Sequence, residues 1–179
     1  MTDKVAIFDP EEQQTFLGAC SDNDNEYIPI WLMLNTGMHP HDISEARTKL
    51  KLERGILSWK RAKNDNPRRE IIPSQIVPRL EDWLKRGRKL SRVGYFQLVR
   101  RVGARVGHPE YSPMTLRHTF CINELRRMQN APKPPPEMFM LLAMKMGCTR
   151  AVVAQNYLDL TQWERLGDEQ DGEDQSKRP

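Results

Sequence analysis

The sequence predicts a mainly α-helical fold carrying one small three-stranded antiparallel sheet, an α+β domain. Three observations predict it. Apolar residues recur at helical spacing through most of the chain; between Lys49 and Ile72 the period drops to two and turn residues cluster. A length of 179 residues suffices for one domain with a proper core but crowds two large ones. On this reading residues 1–166 form that domain, and 167–179, GDEQDGEDQSKRP, form an acidic disordered tail without hydrophobes.

The first element is FDPEEQQTFLGAC, where Asp9 is a cap, Pro10 takes the first helical position, and Phe16, Leu17 and Cys20 follow at helical spacing. YIPIWLMLNTG is apolar almost throughout and stops at Gly37, which makes it a buried core helix. A short helix, PHDISEAR, comes next. KLKL then alternates, ERG can turn, ILSW has strand composition, KNDNP is a second turn, and RREII brings β-branched residues before Pro73. In SQIVPRLEDWLKRG the residues Ile76, Leu80, Trp83 and Leu84 share a helical face, and Pro78 lies near enough to the start to be tolerated. Further helices follow in YFQLVRRVGARVG, from TLRHTF, in the Met-rich EMFMLLAMKMG after the loop APKPPP, and in TRAVVAQNYLDL. The methionines Met138, Met140, Met144 and Met146 read as core filler.

Net charge is only +4, but its sign is uneven. The stretch Arg47 to Arg105 holds 18 Lys/Arg against 5 Asp/Glu, a local +13, and the remainder holds 10 against 19. Such a block suits polyphosphate, most simply nucleic acid; a merely solvated face is the plain alternative. Cys20, Cys121 and Cys148 are scattered and show no C-x-x-C pairing, so neither a disulfide framework nor a zinc site is indicated. His39 and His41 flank Pro40 without a third ligand nearby, so no metal is expected. With no signal peptide and no apolar stretch near the roughly 20 residues of a membrane span, a soluble cytoplasmic protein is expected.

Arg117 and His118 stand side by side at the start of TLRHTF. A cation in a helix's first turn opposes the helix dipole. The placement makes sense if an anion binds there, with Arg117 and the free N–H groups converging on it. The alternative is that Arg117 points into water.

The order of motifs now matters. TGMHPHDI, a three-stranded sheet, a Lys in a strand-joining turn, TLRHTF, and MGC with a Tyr nine residues beyond Cys148 together resemble the catalytic domain of tyrosine recombinases, the phage-integrase family. The resemblance covers roughly residues 8–160. It implies attack by a tyrosine on a DNA phosphodiester, a 3′-phosphotyrosyl link and a 5′-hydroxyl leaving group, without metal or cofactor. Such chemistry needs a nucleophilic hydroxyl, cations on the non-bridging oxygens and an acid for the leaving oxygen. Arginine suits the phosphate because its planar fork can reach two oxygens.

Residue by residue, the resemblance implies that Tyr157 is the nucleophile, Arg117 the second arginine and Lys63, in KRAKNDNPR, the general acid. Three positions depart from the pattern. His39 stands where the first arginine is usual, Met114 replaces a histidine or lysine, and Cys148 replaces a histidine or tryptophan. Histidine, with a reference pKa of about 6.5, is mostly neutral near pH 7 and does not supply a fixed charge. Methionine has no proton to exchange, and a thiol is a poor donor. The implied partner is double-stranded DNA, on which copies of the chain could assemble; neither a membrane nor a small-molecule substrate is implied. Lys60, Arg61, Arg68, Arg69, Arg100 and Arg101 are the expected DNA contacts. The separate N-terminal DNA-clamping domain usual in that family has no counterpart in these residues. A catalytically inert DNA-binding module on the same fold is the second expectation.

Overall fold

The computed structural model describes residues 7–44, 50–60, 67–130, 137–146 and 153. The element order is α1 (Pro10–Gly18), α2 (Asp24–Thr36), α3 (Pro40–Ser44), β1 (Lys51–Glu53), β2 (Ile56–Lys60), β3 (Pro67–Ile71), α4 (Val77–Arg86), α5 (Arg92–Arg105), α6 (Pro113–Gln129) and α7 (Met138–Met146). The expected helices and three strands are thus present up to Met146. Of the helix expected in TRAVVAQNYLDL only the buried, helical Val153 is described, and the loop APKPPP and the tail lie outside the described residues. The chain divides into two compact units, Met1–Phe120 and Cys121–Pro179, with the division inside α6.

In the first unit α2 is the central element. It buries Ile28, Ile30, Trp31, Leu32, Met33 and Leu34, all round its circumference, as its unbroken apolar run requires. It begins at Asp24, earlier than the apolar run, because the Asn23 side chain caps the Asn25 N–H at 3.1 Å. Pro29 therefore falls in the second turn. At the other end Gly37 adopts φ 63° and ψ 18°, the left-handed conformation that a glycine takes without a Cβ penalty. Helices α1, α4 and α5 pack on α2, and α3 packs on α5. The segment ahead of α1 is pinned by the Phe8 N–H, which donates to Thr119 Oγ1 at 2.9 Å, while the Phe8 ring lies 5.0 Å from Phe16 and 4.6 Å from Tyr111.

The sheet is an antiparallel meander in the order β1, β2, β3. Arg54 and Gly55, with φ 51° and 76°, make the two-residue turn between Glu53 and Ile56, the left-handed pair that matches strand twist. Leu57 and Trp59 face the core; Ile56, Ser58 and Lys60 alternate outward.

In the second unit Leu125, Met128, Leu142, Ala143 and Met146 are buried, and Glu124 accepts from Lys145 Nζ at 2.8 Å and from Arg127 at 3.1 Å. Met146 is core, as its composition suggested. Met140 and Met144 are instead exposed, because α7 buries only the face that carries Leu142, Ala143 and Met146.

Gly103, in α5, shows how tightly the first unit is closed. The His108 N–H bonds the Gly103 carbonyl at 2.8 Å, and a Cβ at Gly103 would overlap the His108 carbonyl oxygen. Gly18, at the end of α1, has nothing within 4 Å of the same construction. Gly103→Ala should therefore lower stability by about 1–3 kcal/mol despite the better helix former. Gly18→Ala should raise it by roughly 0.5–1 kcal/mol. Urea unfolding of both variants checks the contrast; equal shifts would mean that the His108 loop yields.

Candidate functional site

α6 begins at Pro113, two residues before TLRHTF. Proline needs no N–H at the first helical position, and the Ser112 N–H donates to Thr115 Oγ1 at 3.2 Å, closing the helix start. Arg117 is consequently the fifth helical residue, past the turn where the dipole acts most strongly, and the expected conflict in the first turn disappears. Its guanidinium Nη1 donates to the Gly37 carbonyl oxygen. The left-handed turn at Gly37 ends α2, and this bond holds the Arg117 head group within two residues of His39.

His39 precedes α3 and serves as its cap. The His39 Nδ1 accepts the His41 N–H at 3.1 Å, and the His39 N–H donates to Asp42 Oδ2 at 3.4 Å, with Asp42 buried. Since Nδ1 is the acceptor, the ring proton of the neutral imidazole sits on Nε2. A proton on Nδ1 would displace the cap. His39 is thus built into the turn as a capping acceptor. Among the described residues no group of three or more His, Cys, Asp or Glu is placed to hold a metal ion. Met114 is exposed on the first turn of α6.

Lys63, Arg61, Cys148 and Tyr157 lie outside the described residues. Two other hydroxyl and thiol candidates are disfavoured as nucleophiles. Burial first, and then the Glu12 carboxylate that Tyr111 Oη bonds at 3.3 Å, push the Tyr111 phenol up to about 12. Burial, and then Glu26, push the Cys20 thiol up to about 12 as well.

The expected DNA contacts are not on one surface. Lys60 and Arg69 lie on the outward face of the sheet, where the register also places Lys51 opposite Ser58 and Ser58 opposite Arg69. Arg68 pairs across from Trp59 and shares the core-facing side. Arg100 is exposed on α5 and donates to the Pro109 oxygen at 3.4 Å. Arg101 is ion-paired with Glu26 at 3.4 Å. Lys51 escaped the sequence reading, although the alternation in KLKL assigns it the parity of an outward residue. Part of the basic block is internally neutralised: Arg79 pairs with Asp24 at 2.5 Å, Arg105 with Glu26 at 2.5 Å, and Arg86 with Asp82. No helix of the described residues is long and apolar enough to cross a membrane.

His118, next to Arg117, is half-buried, and its pKa is lowered from 6.5, first by burial and then by the Arg117 charge. Between its folded and unfolded values the unfolded chain binds more protons, so this group makes stability fall as pH drops below about 6.5. NMR titration should place the His118 midpoint below 6.5, and Arg117→Met should raise it only partly, since burial is the larger cause. A midpoint at or above 6.5 in the native protein would contradict the burial.

With this geometry in view, the chain is similar to the crystal structure of XerA recombinase, with a TM-score of 0.65 at 16% sequence identity, over 83% of this chain and 58% of that one. It is likewise similar to the XerH site-specific recombinase bound to palindromic difH substrate in a post-cleavage complex, with a TM-score of 0.63 at 17% identity, over 84% of this chain and 48% of that one. The chain thus spans roughly half to three-fifths of the length of these proteins. No protein-family model matches the chain and no curated protein matches its sequence. The helices and three-stranded sheet form a fold like the catalytic domain of tyrosine recombinases.

Proposed function

We propose that the chain binds duplex DNA and breaks and rejoins it through a 3′-phosphotyrosyl intermediate. The observation that carries this reading is the Arg117 guanidinium fixed at the Gly37 carbonyl, beside His39, in a fold of this kind. In the proposed reaction the Tyr157 oxygen attacks phosphorus, the 5′-oxygen leaves with a proton from Lys63, and Arg117 stabilises the charge that gathers on the non-bridging oxygens. Lys51, Lys60 and Arg69 on the outward sheet face, with Arg61 and Arg100, hold backbone phosphates; these contacts position the duplex without reading its sequence. The capping role of His39 and the exposed Met114 favour a second reading, a slow or inert module that occupies DNA sites on the same fold.

Incubation with a nicked duplex, whose cleaved strand diffuses away, separates the two. The enzyme reading expects a protein–DNA adduct that survives denaturation. Tyr157→Phe should abolish that adduct and leave duplex affinity nearly unchanged, because one oxygen is removed. Duplex binding without any adduct supports the inert module, and absence of duplex binding would refute both.

His39→Arg tests the departure from the family pattern. A permanent guanidinium at this position should speed adduct formation at pH 7.5 by about a hundredfold, on the order of 3 kcal/mol of transition-state stabilisation. Loss of the α3 cap offsets this with a cost of about 1 kcal/mol in stability. An Arg variant no faster than the native chain would show that this side chain does not face the phosphate.

A further inference from the structure

At the end of α2 remote from Gly37, the first unit holds a cavity of about 280 Å³. Its polar lining is Asn23, Asn25, Glu26, Arg88, Arg101 and Arg105. The atoms available in it are nearly all hydrogen-bond donors, for a reason that each bond supplies. Asn23 Oδ1 accepts the Asn25 N–H, and Asn25 Oδ1 accepts the Arg88 N–H. Each amide oxygen thus already accepts one N–H, and neither NH2 group has a hydrogen-bond partner among the described residues.

The sole carboxylate lining it is already occupied. Glu26, only 6% exposed, is gripped through both oxygens by Arg105, at 2.5 and 3.1 Å, and Arg101 approaches one of them at 3.4 Å. One carboxylate cannot neutralise three guanidiniums. Arg101 keeps 60% of its side chain exposed, and the Arg88 guanidinium forms no ion pair among the described residues. Arg101 and Arg105 are also four residues apart on one helix face, where like charges repel. Surplus positive charge and surplus donors together call for an anion with several acceptor oxygens.

We propose that this cavity is a phosphate-binding site distinct from the Arg117 centre. The 13 residues of α2 separate the two by roughly 20 Å at 1.5 Å per residue. The volume lies below the roughly 300–1,000 Å³ of drug-sized pockets, so the site takes a phosphate or diphosphate group rather than a whole nucleotide. Leu90 and Leu98 complete its wall. The group could come from a free phosphorylated compound or from a DNA backbone; the chemistry recognised is the same.

Inorganic pyrophosphate is the probe, titrated into the full chain at constant ionic strength. The site predicts saturable NMR shifts at the Asn23 and Asn25 side-chain NH2 groups and at the Arg88 and Arg101 Nε–H. It also predicts thermal stabilisation that follows occupancy. Arg88→Ala with Arg101→Ala should weaken binding at least tenfold while the Arg105–Glu26 pair keeps the fold. Arg88→Glu alone, at an exposed position, should do the same if the double variant unfolds. Unsaturable shifts, or equal binding by the variants, would overturn the site. A second arm identifies the source. A log K against log salt slope for duplex DNA that becomes shallower by about two in the double variant assigns the pocket to DNA phosphates. An unchanged slope assigns it to a free phosphorylated compound. Because pyrophosphate binding requires no DNA, failure of the duplex reading and failure of this pocket are read separately.

Discussion

The bond from Arg117 to the Gly37 carbonyl ties the first half of α6 to the turn between α2 and α3. Gly37 can offer that carbonyl because it ends α2 in a left-handed conformation, and α2 can end there because its other end is set by the Asn23 cap. The Arg117 head group is therefore positioned by the end of the most buried helix run of the unit, Ile28–Leu34. His39 stands one turn of backbone further, held by its own cap on α3. Sites supported in this way keep their geometry without the ligand, which is what electrostatic stabilisation of a transition state requires.

Charge in this chain is organised by pairing as much as by clustering. The basic block from Arg47 to Arg105 looks like one surface in sequence, but α2 draws off Arg79, Arg101 and Arg105 to Asp24 and Glu26. The sheet keeps Lys51, Lys60 and Arg69 outward. Two basic regions result: the outward face of the sheet, and a small donor-rich cavity at the start of α2. The same composition thus supplies ion pairs to α2 and leaves basic side chains outward on the sheet.

Local signals were legible. The Asp9 cap with Pro10, the continuous apolar run of α2, the Gly37 stop and the alternating strands each announce themselves within a few residues, and the structure places them accordingly. What the sequence concealed was nonlocal. The pairing of Glu26 with Arg105 joins residues 79 apart, and no local pattern signals it. Arg117 was misplaced by two residues of helix start, because Ser112–Pro113 and Thr115 were not read as the beginning of α6. The division of Arg68 from Arg69 follows from strand parity and could have been read; the capping role of His39 could not, since histidine is not among the usual cap residues. Among the described residues, TGM of the motif order falls at the end of α2 and TLRHTF in the first half of α6.

The proposed reaction requires that Arg117 serve a tyrosine nucleophile at position 157. The most direct measurement is mass-spectrometric mapping of the covalent species formed on a nicked duplex after nuclease and trypsin digestion. The proposed reaction puts nucleotide mass on the peptide Ala151–Arg165, whose one tyrosine is Tyr157. It also predicts that Arg117→Met removes that modified peptide while the protein stays folded. Nucleotide mass on any other peptide, or an undiminished yield from Arg117→Met, would contradict it.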